Sequence, residues 1–216
     1  MIAMILAAGR GERLRPLTDN VPKSLVEVHG EALLERHLQT LGNGGVETAV
    51  INLGWLGEQI PARIGSGERF GLNVIYSQEG NNILETGGGI HRALPMLGSQ
   101  PFLVINADIY TDMPVPEIEL LDNDLVHLVL VPTPAGKERG DFALRGDRVR
   151  NNGDSMYTFS GVSIYRPEFF DSCEPGRFSV VPMLREAADA GRVSGSVYDG
   201  LWRDVGTPER LAELNA

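Results

Sequence analysis

The sequence predicts an α/β fold, a mixed but mainly parallel sheet with helices on both faces. Three features lead there. The first strand candidate, Ile2-Ala3-Met4-Ile5-Leu6, is apolar throughout instead of alternating, as a strand covered on both faces requires. Over roughly the first 110 residues such runs alternate with helical patterns, the order expected of parallel strands joined by crossover helices. The second half departs from that rhythm, with strand patterns around a hairpin and then two more helices.

In chain order, a glycine- and arginine-rich loop fills residues 7–22 after the first strand. Residues 31–41 set Leu33, Leu34, His37, Leu38 and Leu41 on one helical stripe, closed by Gly42, Gly44 and Gly45. Residues 46–53 read as a strand, and 56–64 as a helix carrying the awkward Pro61. A short strand at 73–77, a helix at 86–94 stopped by Pro95, and a buried strand at 102–106 follow. Strands are then expected at 125–131 and 158–165, with a hairpin between them from 142–144 and 147–149. Helices at 179–190 and 207–214 complete the chain. Right-handed crossovers bring the C-terminal ends of the parallel strands to one edge, where open α/β sheets hold ligands. There is no internal repeat, low-complexity tract or clear linker, so residues 1–216 read as one domain.

Composition narrows the function. The 216 residues hold 19 Lys and Arg against 29 Asp and Glu, a net charge of −10. With a sequence pI of 4.9, the chain is unsuited to general nucleic-acid binding, which needs clustered cations. A single cysteine, Cys173, excludes an internal disulfide and a cysteine-built metal cage. His29, His37, His91 and His127 show no metal-ligand spacing. No apolar run approaches the roughly 20 residues of a membrane span, and no basic stretch precedes the N-terminal apolar run. A soluble cytoplasmic protein is the expectation, with no membrane partner.

The cations are not evenly spread. Residues 1–24 contain Arg10, Arg13, Arg15 and Lys23 against only Glu12 and Asp19. Within them runs Leu6-Ala7-Ala8-Gly9-Arg10-Gly11-Glu12-Arg13-Leu14, directly after the first strand. Small residues and glycines let backbone N–H groups close on a ligand. Arg13 offers a planar fork for phosphate oxygens, and Lys23 a second cation after Pro22. A dinucleotide fingerprint fits poorly, because Leu14 stands where its third glycine belongs. Asp108 follows the strand at 102–106 and Asp204 lies near the C-terminus. Each alone is an ordinary acid or turn former; together they offer the two hard oxygen ligands that Mg²⁺ takes beside water and phosphate.

The run from Leu6 through Thr18 to Pro22-Lys23 resembles the signature of sugar-1-phosphate nucleotidylyltransferases. The likeness continues through Glu85-Thr86-Gly87-Gly88-Gly89, Asn106-Ala107-Asp108, Phe159-Ser160-Gly161 and Trp202-Arg203-Asp204-Val205-Gly206-Thr207. Trp55-Leu56-Gly57 and Arg139-Gly140-Asp141-Phe142 resemble the branch that acts on muramyl-type sugars. The resemblance implies a Rossmann-like nucleotide-diphospho-sugar transferase fold, with residues 1–110 as the nucleotide-binding half and 111–216 as the sugar-phosphate-binding half. It implies uridylyl transfer from UTP to a sugar 1-phosphate with Mg²⁺ or Mn²⁺.

Carried over by position, the resemblance makes Arg13, Lys23 and Asp108 catalytic, and Asp108 with Asp204 the metal ligands. It gives the nucleotide Leu6, Ala7, Ala8, Gly9, Gly11, Glu12, Arg13, Lys23, Gln78, Gly80 and Gly88, with Gly88 letting a helix start approach the ribose. It gives the sugar Asn106 and Gly140. Relatives selective for glucose carry a Glu-Lys-Pro segment where this chain reads Arg150-Asn151-Asn152-Gly153-Asp154. That departure leaves room for a bulkier N-acetylated or lactyl-bearing sugar, with mannose or glucose 1-phosphate and another nucleotide as the alternative. A sensor that kept the fold but lost catalysis would be free to lose these charged residues, and all are present. The short chain leaves little for assembly, so a monomer is expected.

Overall fold

A computed structural model describes residues 1–80 and 83–216. Strand β1 (Ile2–Leu6) leads into a loop of three single 3-10 turns. Then follow β2 (Glu27–Val28), β3 (Glu31–Ala32), α1 (Leu33–Asn43), β4 (Thr48–Leu53), α2 (Gln59–Ile64), β5 (Asn73–Gln78), α3 (Glu85–Leu97), β6 (Phe102–Asn106) and β7 (Ile109–Thr111). The second half runs β8 (Val126–Pro132), β9 (Phe142–Arg145), β10 (Arg148–Arg150), β11 (Met156–Tyr165), α4 (Val181–Asp189), β12 (Val193–Val197), β13 (Trp202–Asp204) and α5 (Pro208–Leu214).

One nine-stranded sheet crosses both halves in the order β5-β4-β1-β6-β11-β8-β12-β10-β9. The first four strands are parallel. β11 runs antiparallel between β6 and β8, β12 is parallel to β8, and the β9–β10 hairpin closes the far edge. The apolar run of β1 is explained by its two faces. Ala3 and Ile5 pack with Leu34, Leu38 and Leu41 of α1 and Ile60 and Ile64 of α2. Met4 packs on the other side with Ile90, Ala93 and Leu97 of α3 and Leu184 and Ala188 of α4. Leu34, Leu38 and Leu41 are wholly buried, the class of side chain whose truncation costs about 2–5 kcal/mol.

The chain builds outward from β1 to β4 and β5, then returns to lay β6 on the other side of β1. The two loops leaving β1 and β6 therefore part in opposite directions at the C-terminal edge, and a crevice opens between them. The register sets Leu6 opposite Asn106, and Ala107 donates its N–H to the Leu6 carbonyl at 3.2 Å.

Boundaries differ from the sequence pattern where local geometry intervenes. α1 starts at Leu33 because Glu31 and Ala32 pair back on Glu27 and Val28. The His29-Gly30 turn between them has positive φ at both residues, the geometry of a tight hairpin. Pro61 is accommodated in the first turn of α2, where its missing N–H would have had no helical partner. Pro95 does not stop α3, which continues to Leu97. It stands in the last turn, so one helical bond is lost instead of several. β12 reads Val-Ser-Gly-Ser-Val and lacks the apolar run of a central strand, yet it pairs with β8.

That pairing has a consequence for pH. His127 of β8 is buried between Ser194 and Ser196 of β12, with ring nitrogens 3.0 and 2.9 Å from the two hydroxyls. Burial lowers its pKa to about 4, and burial does the same to His37 of α1. Both histidines bind protons more weakly folded than unfolded. Their contribution is whole above about pH 6.5 and is lost as pH falls toward 4. Thermal unfolding from pH 7.5 to 4.5 is expected to show Tm falling through this window, with a shallower fall in His127→Gln, which keeps a donor and an acceptor but does not titrate. Equal slopes in the two proteins would contradict this reading of His127.

Candidate active site

The loop after β1 is held in shape by its own backbone and by side-chain bonds from Thr18 and Trp55. Gly11 has φ +62° and its carbonyl accepts from Leu14 N–H and Thr18 Oγ1, both at 2.8 Å. A Cβ on Gly11 would lie 2.9 Å from Thr18 and 3.0 Å from Lys23 Cβ, so only glycine lets the loop close on the lysine. Trp55 Nε1 braces the loop from outside by donating to the Thr18 carbonyl at 3.0 Å. The folded loop carries Lys23 to Asp108, and the ammonium is ion-paired with Asp108 Oδ2.

The second carboxylate reaches the same place through a strand pair. β13 runs antiparallel to β7 with Asp204 opposite Ile109, and Val205 N–H donates to the Asp108 carbonyl at 2.8 Å. Asp108 and Asp204, 96 positions apart in sequence, thus become near neighbours. Asp204 is paired with Arg210 of α5 through both oxygens. Arg13 and this carboxylate both lie against Gly206. The point where a Gly206 Cβ would stand is 2.9 Å from Asp204 Oδ2 and 3.2 Å from an Arg13 nitrogen. His37 lies buried behind Asp108, whose charge acts on its ring, and stays neutral near neutral pH.

Two cavities meet here. One of about 240 Å³ is walled by Leu6 to Gly9 on one side and by Lys23, Ser24, Asn106 and Asp108 on the other. Ser24 Oγ is buried beside this wall without a hydrogen-bond partner among the described residues. The other cavity, about 890 Å³ and open, is lined by Arg10, Glu12, Arg13 and Arg177 and shares Gly11 and Ile83 with the first. A narrow chamber with a lysine and a carboxylate thus opens into an arginine-lined one. That arrangement suits a ligand with an organic end and a polyphosphate tail.

The structure brings Leu6, Ala7, Ala8, Gly9, Gly11, Glu12, Arg13, Lys23, Asn106 and Asp108 to the walls of these two cavities; Asp204 lines neither and is tied to Asp108 through the β7–β13 pair. Several backbone groups of the first strand's exit are already engaged. Ala7 N–H donates to Asn52 Oδ1 at 2.6 Å, and the Ala8 carbonyl accepts from Trp55 N–H at 3.4 Å.

Three expected nucleotide contacts and one sugar contact fall elsewhere. Gln78 and Gly80 are exposed and line neither cavity; the residue between them, Glu79, points inward. Its Oε1 accepts from Asn52 Nδ2 at 2.6 Å and its Oε2 from Leu84 N–H at 2.8 Å. Along a strand a shift of one residue changes the face, which puts Glu79 and not Gln78 on the cavity side. Gly88 is small for a different reason from the one expected: the carbonyl of Gly176 occupies the space where its Cβ would be. The N–H groups of Gly87 and Gly88 both donate to the Phe178 carbonyl, at 3.0 and 3.1 Å, so the start of α3 is capped by protein. Gly140 packs its backbone on Tyr157 of β11 and lines neither cavity. Asn52 and Glu79 are the site residues sequence reasoning missed. A buried Asn in the apolar strand Thr48–Leu53 was the available signal.

Known proteins supply an independent comparison. The family model described as nucleotidyl transferase matches residues 2–123. The chain is 48% identical to the N-acetylmuramate alpha-1-phosphate uridylyltransferase of Neisseria meningitidis serogroup B, covering all of this chain and 97% of the relative. It is 37% identical to the protein of the same name from Caulobacter vibrioides, covering 98% and 97%. Among solved structures, HddC from Yersinia pseudotuberculosis in complex with GMP-PN superposes with a TM-score of 0.77 at 22% identity, over 99% of this chain and 97% of that one. A family model matched over more than half of the chain and relatives matched over its full length show that the chain belongs to the nucleotidyl transferase family.

Proposed function

We propose that the chain transfers the uridylyl group of UTP to N-acetylmuramic acid α-1-phosphate, giving the UDP-sugar and pyrophosphate. The observation that carries the reaction class is the convergence of Arg13 and Lys23 from the loop after β1 with Asp108 and Asp204 from two other segments at one end of the sheet. The identity of both substrates is supported by the two full-length relatives named for that reaction.

The chemistry asked of the site is modest in covalent terms. A phosphate oxygen of the sugar phosphate attacks the α-phosphorus of UTP, and the bond to the bridging oxygen of pyrophosphate breaks in line. The nucleophile is already an anion, so no strong base is needed. The barrier is electrostatic, because two polyanions must meet. Lys23, largely buried at the wall of the smaller cavity, supplies a fixed positive charge for the α-phosphate. Arg13, in the adjoining cavity, takes the β- and γ-phosphates and the charge that develops on the leaving pyrophosphate.

Asp108 and Asp204 are suited to hold Mg²⁺ or Mn²⁺. The β7–β13 pairing and the Val205–Asp108 backbone bond bring two hard oxygen donors to one end of the sheet, and this ion ordinarily completes its shell with water and substrate phosphate. When bound, such an ion neutralises phosphate charge. Asp108 is ion-paired with Lys23 and Asp204 with Arg210.

The deciding assay is pyrophosphate release from UTP, CTP, GTP, ATP and dTTP, each offered N-acetylmuramic acid, N-acetylglucosamine, glucose and mannose 1-phosphates with Mg²⁺. The pair of UTP with the muramyl phosphate is expected to have the highest kcat/KM; a clear preference for another pair would replace the substrates proposed. Lys23→Ala is expected to lower kcat by about 10²-fold, the scale of losing one transition-state charge contact, with near-normal turnover contradicting the role. Asp204→Asn is expected to move the Mg²⁺ activation curve to higher concentration, and a superimposable curve would remove Asp204 from the metal set.

A further inference from the structure

Glu85 opens α3 with φ +62°, a backbone conformation that costs a side chain other than glycine free energy. Nothing in the capping of the helix calls for a glutamate there, since Leu84, Gly87 and Gly88 are tied to Phe178 through backbone groups alone. The Glu85 carboxylate instead grips Arg177, with Nε and one Nη both 2.9 Å from Oε1. Glu85 lines the smaller cavity and Arg177 the larger one, so the pair spans the join between them. Arg177 belongs to the segment before α4, and it faces a cavity whose other charged residues are Arg10, Arg13 and Glu12. Both of its contacts go to a single carboxylate oxygen. The rest of its planar fork stays available for an anion.

We propose that Arg177 is a further phosphate-binding residue of the triphosphate cavity, and that Glu85 accepts backbone strain to hold the guanidinium facing it. The proposal rests on the nucleotide reading above. It adds a cation from the second half of the chain to those of the first loop. Glu85 acts through Arg177 and is a positioning residue. Its carboxylate, being negative, would by itself repel a polyphosphate, so any loss of affinity when it is removed reports orientation and not charge.

The test is calorimetric binding of pyrophosphate and of UTP, with Mg²⁺, alongside thermal unfolding. Arg177→Ala is expected to weaken both ligands by about 10-fold or more, the scale of a charge-assisted contact, and to raise KM for UTP with little change in kcat. Glu85→Gly is expected to weaken both ligands several-fold while Tm stays level or rises, because glycine relieves the positive φ. Affinities of Arg177→Ala within twofold of the parent would overturn the proposal. So would a Glu85→Gly protein of lower Tm and unchanged affinity, which would make the strain a packing matter. Binding of pyrophosphate requires no acceptor sugar, so an enzyme that binds it through Arg177 yet fails to use the muramyl phosphate separates failure of the substrate assignment from failure of this one.

Discussion

The ion pair between Lys23 and Asp108 joins the two loops between which the ligand must sit. One partner comes from the loop after β1, the other from the end of β6, and the strands themselves are hydrogen-bonded neighbours. Because β1 and β6 lie side by side while their outgoing loops part, the crevice exists before any ligand arrives. Gly11, Thr18 and Trp55 shape the loop so that the lysine reaches its partner. On the other side, the β7–β13 pair fixes Asp204 beside Asp108. Strand order thus becomes chemistry through a handful of backbone bonds at one sheet edge.

A net charge of −10 opposes the binding of the phosphate substrates proposed. The distribution resolves this. Acids on the far surface are screened by water and salt over about 10 Å, whereas the cations that matter stand at the cavity walls, Lys23 in one chamber and Arg10, Arg13 and Arg177 in the other. The two carboxylates proposed to hold a metal are each paired with a cation, Asp108 with Lys23 and Asp204 with Arg210.

Much of this was legible in the sequence, and the reasons for the rest are specific. The apolar β1 and the stripe of α1 announce burial on two faces and on one, so the layered fold could be read directly. The phosphate loop carries its meaning in consecutive residues. Asp108 and Asp204 could be matched to a family pattern, but their meeting depends on β7 and β13, three residues each and too short for any periodic signal. Glu79 is buried and accepts from Asn52 while its neighbours Gln78 and Gly80 are exposed, an alternation that a loop in the sequence does not announce. Gly88 and Gly140 are small because Gly176 and Tyr157 lie against them, and contacts between segments that far apart leave no local trace. The strain at Glu85 is likewise invisible in a string of letters.

The most direct test of the account is the position of a bound ion and nucleotide. A crystal of the protein grown with Mn²⁺ and a non-hydrolysable UTP analogue, measured at the manganese edge, would locate both. The account predicts one anomalous peak shared by Asp108 and Asp204, with the α-phosphate beside Lys23 and the outer phosphates beside Arg13. A peak held by other carboxylates, or a triphosphate lying away from Lys23 and Arg13, would contradict it.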